Sequence, residues 1–125
     1  MKMISTPNAP PPAGHYSQAV VCGGIVYLAG QLGRDPAAPD AHPGDAVDQT
    51  RQALANVSAI LEAAGSALDQ VLQVTIYITD MALWQEVNDA YAAVLGDHRP
   101  ARAVVPVAPL HGDYVIEIQV MAALP

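Results

Sequence analysis

The apolar and polar positions of this chain fall into strand-like and helix-like stretches separated by proline- and glycine-rich breaks. In SQAVVCGGIVYLAGQ two apolar runs flank Gly23-Gly24. That pair predicts a two-residue hairpin turn, because glycine reaches φ > 0 without a Cβ penalty. The segment up to Gly14 is rich in proline and predicts a short strand or extended arm followed by a loop. Residues 32–44, LGRDPAAPDAHPG, read as a loop.

From Asp45 to Ala64 the period changes. Val47, Thr50, Leu54, Val57, Leu61 and Ala64 recur at spacings of three and four, one face of an amphipathic helix. Asp45 suits its N-cap and Gly65 its end. VLQVTIYIT then alternates as a strand, with Leu72, Val74, Ile76 and Ile78 on one face and Gln73, Thr75, Tyr77 and Thr79 on the other. The second face is neither charged nor strongly apolar, which suits a surface shared between subunits. Asp80 caps a second helix that ends near Leu95, with Trp84, Val87, Tyr91 and Leu95 as its stripe. Two strands close the chain, about Arg102 to Val107 and Val115 to Ala122.

Helices placed between strands require crossovers, so the expected fold is α+β: a mixed sheet with two helices packed on one face. The last two strands read as a hairpin turning near His111 and Gly112. That register sets Arg102 near residue 120 and leaves Glu117 about 10 Å along the ladder, at ~3.4 Å per residue.

A length of 125 residues fits one domain, spanning 1–125. At 52% hydrophobic and 14% charged residues the chain is globular. Its apolar content favours an oligomer. A net charge of −7 weighs against a phosphate-backbone partner. The single cysteine, Cys22, excludes an intrachain disulfide and reads as a buried, inert thiol. The N-terminal residues lack a signal-peptide core and no run reaches the roughly 18 apolar residues of a membrane helix, so the expected address is the cytoplasm.

Four residues stand out against this background. Arg102 heads an apolar strand, where its planar fork can grip a carboxylate or form a surface ion pair. Glu117 interrupts VIEIQV, either as a solvent-facing position or as a desolvated general acid or base. Asn88 lies on the apolar stripe of the second helix and needs a partner, in its own loop or in a ligand. Tyr16 follows the proline-rich loop and either closes the core edge or faces a ligand. His15, His42, His98 and His111 show no metal-ligand spacing, and there is no glycine-rich phosphate loop. The residues alone lead to a small, oligomeric α+β domain that binds a small carboxylate.

Several stretches together resemble the RidA family, also called YjgF or endoribonuclease L-PSP. They are TPNAPPPAGHYSQAV, YLAGQLGRDP, ALANVSAILEAAG, VNDAYAAVLG and, most specifically, PARAVVPVAPL followed by VIEIQV. The resemblance implies a chorismate-mutase-like fold assembled as a homotrimer, with sites in the clefts between subunits. It implies hydrolytic deamination of reactive enamines and imines, such as 2-aminoacrylate and 2-imino acids, to 2-keto acids and ammonia. No cofactor and no metal is implied.

On this resemblance Arg102 holds the substrate carboxylate and Glu117 handles the attacking water and its protons. Tyr16, Asn88, Ala29, Gly30 and the carbonyl of Val104 match pocket positions. The chain departs from common family residues at Ala29, where many relatives have Ser, and at Val104, where several have Cys. His15 stands where Gly-Pro-Tyr is common, and Pro106 suggests an edge or bulge. Two further functions described among relatives, an endoribonuclease or translation inhibitor and a non-enzymatic ligand-binding trimer, remain as alternatives.

Overall fold

A computed structural model describes residues 1–125. The strands are β1 (Lys2–Ile4), β2 (Ala19–Cys22), β3 (Ile25–Leu28), β4 (Gln31–Leu32), β5 (Val71–Ile78), β6 (Ala101–Pro106) and β7 (Ile116–Ala123). The helices are α1 (Ala46–Ala64) and α2 (Trp84–Leu95). The strands form one mixed sheet in the order β1-β2-β3-β7-β5-β6, with β4 also paired to β7. The expected α+β architecture is what the chain adopts.

Local chemistry explains the elements. Gly23 and Gly24 take φ of 59° and 77°, which closes the β2–β3 hairpin in the hand that matches strand twist. At the start of α1, the Asp45 carboxylate accepts from the Asp48 amide at 2.9 Å and Asp48 returns the bond to the Asp45 amide at 3.2 Å. This reciprocal cap satisfies donors that the helix cannot satisfy itself. Asp45→Ala is expected to cost about 1 kcal/mol of stability, read from urea unfolding. Asp80 caps a 3₁₀ turn, Met81–Leu83, that leads into α2, so α2 starts later than the spacing predicts.

The core lies between the helices and one face of the sheet. Val26, Leu28, Val74, Ile76, Ile78, Ile116, Ile118 and Val120 face it, against Leu54, Val57, Ile60 and Leu61 of α1 and Val87 and Tyr91 of α2. Three buried amides fasten loops to this frame. Gln18 accepts from the Thr6 amide at 2.7 Å and donates to the Pro10 carbonyl at 2.9 Å. Gln49 donates to the Asp113 carbonyl at 3.1 Å and accepts from the Val115 amide at 2.8 Å, tying α1 to the entrance of β7. Asn56 donates to the carbonyls of Leu32 and Arg34 at 3.1 and 2.8 Å.

Three expectations are corrected. β6 and β7 are not a hairpin: β6 runs parallel to β5, with Arg102 opposite Val74, while β7 runs antiparallel on the other side of β5. The α2 crossover returns the chain to the starting end of β5, which makes the next strand parallel. β7 is already occupied on both edges, leaving β6 at the sheet edge, where the terminal Pro106 is tolerated. Leu72 does not share the face of Val74: a register shift between Val71 and Gln73 puts Val71 in the core and leaves Leu72 exposed. Cys22 is exposed beside the hairpin turn, where the sheet has no layer above it to bury a terminal residue.

Candidate functional site

Arg102 enters the helix-covered face from edge strand β6. Its Nη1 donates to Asn88 Oδ1 at 2.9 Å. Its guanidinium carbon stands 4.9 Å from the Tyr91 ring centre and 5.8 Å from that of Trp84. Trp84, Asn88 and Tyr91 follow one another by four and three residues on α2, so one helical face presents all three. Rings at these distances hold a cation by their quadrupoles and limit its rotamers. No acid lies within ion-pair distance of Arg102; the one such contact in the chain is His42 to Asp113, at 3.4 Å. The guanidinium is thus oriented but not neutralised. A cavity of about 440 Å³ beside it is lined by Asn88, Tyr91, Leu95, His98, Arg99 and Arg102. Burial pushes the Tyr91 hydroxyl above its ordinary pKa, partly opposed by the Arg102 charge, and that hydroxyl has no hydrogen-bond partner.

Glu117 occupies the other face. In β7 it pairs with Leu32 of β4 and Tyr77 of β5. Its neighbours on the outer face are Tyr77 and Gln119, joined by a hydrogen bond of 3.1 Å from the tyrosine hydroxyl. A cavity of about 310 Å³ is lined by Gly30, Tyr77, Val107, Leu110, Glu117 and Gln119. Desolvation raises the pKa of Glu117 above the ordinary carboxylate value. A carboxylate so shifted holds and releases a proton nearer to neutrality, as acid–base work requires.

Gly30 is the wall of this cavity. A Cβ at that position would collide with the Glu117 carboxylate and stand 2.9 Å from its Cδ. Gly30→Ala is therefore expected to displace the carboxylate and lower kcat/KM by about 10²-fold, the scale of an ångström-sized misplacement. Because the colliding group is the flexible end of a side chain, the melting temperature should move little. Steady-state kinetics beside thermal unfolding checks both halves of this expectation.

Tyr16 lines a neighbouring cavity of about 250 Å³ that shares Gly30 and also contains Arg34 and His111. The Tyr16 hydroxyl accepts from the Ala13 amide at 3.1 Å, which braces the loop. Ala29 is half-buried, and its amide donates to the Gln18 carbonyl at 2.9 Å. Val104 pairs with Ile76 and shares the parity of Arg102, away from the Glu117 cavity.

The chain thus brings Arg102 together with Asn88, and Glu117 together with Gly30, with Tyr16 in an adjoining cavity that shares Gly30, but keeps the two groups apart. With β5 between their strands, and with register partners Val74 and Tyr77 three positions apart, their Cα atoms are separated by roughly 14 Å, at ~4.8 Å between strands and ~3.3 Å per residue. They also face opposite sides of the sheet. Residues the pattern did not single out are Trp84 and Tyr91 as seats for Arg102, Tyr77 and Gln119 beside Glu117, and Arg34. The stripe on α2 contained the signal for the first pair, since Asn88 stands between two aromatics on the same face.

Fold and site define a class: an α+β protein whose mixed sheet displays an oriented arginine on one side and a desolvated carboxylate on the other. The family model described as Endoribonuclease L-PSP matches residues 6–124, and the chain belongs to this family, the RidA/YjgF proteins. A RutC family protein of Pyrococcus horikoshii is 46% identical, covering 97% of this chain and 96% of its own. A protein of Bos taurus named 2-iminobutanoate/2-iminopropanoate deaminase is 40% identical, covering 97% and 88%. The crystal structure of the Escherichia coli YjgF gene product matches with a TM-score of 0.94 at 36% identity, covering 100% of both chains.

Proposed function

We propose that this protein hydrolyses small 2-imino acids, and the enamines in equilibrium with them, to 2-keto acids and ammonia. The observation that carries this reading is Arg102: a guanidinium held by Asn88 and two rings, with no acid to neutralise it, is prepared for a carboxylate from solution. The relatives named as imine deaminases support the reaction class.

Arg102 takes the substrate carboxylate as a fork, through two parallel charge-assisted bonds. Water adds to C2 of the protonated imine while the Glu117 carboxylate accepts its proton. Glu117 then returns that proton to the nitrogen of the 2-amino-2-hydroxy intermediate. The C–N bond breaks and ammonia leaves as the regenerated Glu117 carboxylate takes the hydroxyl proton, which forms the carbonyl, and that proton then passes to the departing ammonia. Raised basicity from desolvation suits Glu117 to both transfers.

One copy cannot apply both residues to one small molecule, since they face opposite sides of the sheet. The reading therefore includes a second copy that supplies the missing half, within a homotrimer. Three features favour this assembly. β6 is an open edge. The outer face of the sheet has no helix over it and displays Tyr27, Thr75, Tyr77, Val105 and Gln119, with Glu117 as its carboxylate. Exposed Met3 and Leu72 extend its apolar area. The net charge of −7 offers nucleic acid little attraction. No helix is long and apolar enough to cross a membrane.

A coupled assay tests the proposal. A serine dehydratase generates 2-aminoacrylate, and its disappearance is followed with and without this protein. Acceleration is expected; no acceleration by an intact oligomer overturns the deaminase reading for this substrate class.

A further inference from the structure

We propose that Arg34 is a specificity residue that receives the distal carboxylate of a 2-imino dicarboxylate. This inference rests on the deaminase reading above and narrows its substrate class.

The placement comes from β4. Leu32 pairs directly with Glu117, and Arg34 follows two residues later. Arg34 lines the cavity that holds Tyr16 and shares Gly30 with the Glu117 cavity. A ligand lying along Gly30 thus has Glu117 on one side and Arg34 on the other.

The position is built rather than incidental. Asn56, with no exposed surface, donates to the Arg34 carbonyl at 2.8 Å and fixes the backbone to α1. The Arg34 Nε donates to the Tyr114 hydroxyl at 3.3 Å, and its guanidinium carbon stands 5.9 Å from that ring centre. Tyr114 is itself only 7% exposed, so the support is rigid. Both terminal nitrogens of Arg34 remain without a protein partner.

Charge makes this arrangement informative. The chain has 12 Asp and Glu against 5 Lys and Arg, so an acid partner would be easy to supply. None lies within ion-pair distance of Arg34. The adjacent Asp35 carboxylate instead accepts from the Ala37 amide at 2.9 Å within its own turn. A half-buried guanidinium with a braced Nε and two free nitrogens matches the geometry of a carboxylate. Arg102 already serves the carboxylate beside the imine, so Arg34 has a second, distal anion to bind. His111 lines the same cavity and adds a donor.

The test compares 2-iminosuccinate with 2-iminopropanoate, each made in situ by a flavin-dependent amino-acid oxidase, with ammonia release followed. The wild-type protein is expected to show the higher kcat/KM for the dicarboxylate. Arg34→Gln should lower the ratio of the two kcat/KM values about 10- to 100-fold, the scale of one charge-assisted pair, and Arg34→Lys should lower it less. Thermal unfolding and sedimentation establish that the variants keep fold and assembly. Turnover of both imines with no preference, or an unchanged ratio in Arg34→Gln, overturns the inference while leaving the deaminase reading in place.

Calorimetric binding of 2-oxoglutarate against 2-oxobutanoate separates the two failures. If wild type turns over neither imine, the deaminase reading falls. Tighter binding of the dicarboxylate, lost in Arg34→Gln, then still supports the distal site. Equal binding of the two keto acids overturns it.

Discussion

Arg102→Ala is expected to cut imine turnover by orders of magnitude while the assembly survives. The fork supplies two charge-assisted hydrogen bonds of about 1.5–3 kcal/mol each. At about 1.4 kcal/mol per factor of ten, their loss lowers kcat/KM by about 10²–10⁴. The fold should persist because Arg102 lies on an edge strand and no ion pair depends on it. Arg102→Lys keeps the charge but loses the planar fork and the ring stacking, so only part of the activity should return. The measurement is kcat/KM on 2-iminopropanoate beside sedimentation velocity. Full activity in the alanine variant would sink the assignment of Arg102 as carboxylate anchor.

Glu117→Gln carries the second large effect, a fall in kcat of about 10²–10⁴ from the loss of proton transfer. The pH profile distinguishes this role from a structural one. Burial raises the native pKa of Glu117, so its basic form is lost as pH falls through a value above the ordinary carboxylate range. The wild-type rate should fall along that limb, and the residual rate of the glutamine variant should not follow it.

Stability takes the opposite sign. The folded chain holds this proton more tightly than the unfolded chain does. Stability is therefore greatest below the unfolded pKa, declines as pH rises through the folded pKa, and is then constant. Glu117→Gln should remove that decline, as urea unfolding across this pH window would reveal. An unchanged kcat in the variant would leave the proton-transfer role without support.

The two variants report on residues that one chain keeps on opposite faces of its sheet, which yields a complementation experiment within the proposed assembly. Each single variant lacks a different half of the site. Mixed oligomers of Arg102→Ala and Glu117→Gln subunits should regain activity, because some clefts then receive Arg102 and Glu117 from different, intact donors. Activity no higher than that of the separate variants would oppose a site shared between copies.

Much of this molecule was legible in its local sequence. The bounds of α1 followed from Asp45 and Gly65, because a cap and a left-handed glycine act within a few residues. The β2–β3 turn followed from Gly23-Gly24 for the same reason. Arg102 and Glu117 were conspicuous because charge is scarce in apolar strands, and Asn88 because an amide on an apolar stripe must find a partner.

What escaped was everything decided between distant segments. Nothing in RPARAVVPVAP distinguishes a hairpin partner of β7 from a parallel neighbour of β5, since both show the same alternation. The crossover through α2 and the prior occupation of both edges of β7 make that choice. The bulge at Leu72 is likewise a register fact, forced where β5 and β7 fall out of step. Arg34 lay in a loop read only as a loop, and it acquires meaning only where Asn56 and Tyr114 meet it from other elements.

By itself, then, the sequence determined both helices, the longer strands, most of their faces and the residues whose chemistry suits acid–base and carboxylate work, because backbone propensity and side-chain chemistry are local. Which of those residues share a cavity, and that Arg102 and Glu117 lie on opposite sides of one sheet, was decided by the tertiary structure. Strand order and register depend on long-range pairing and crossover connections, which no short stretch of chain specifies.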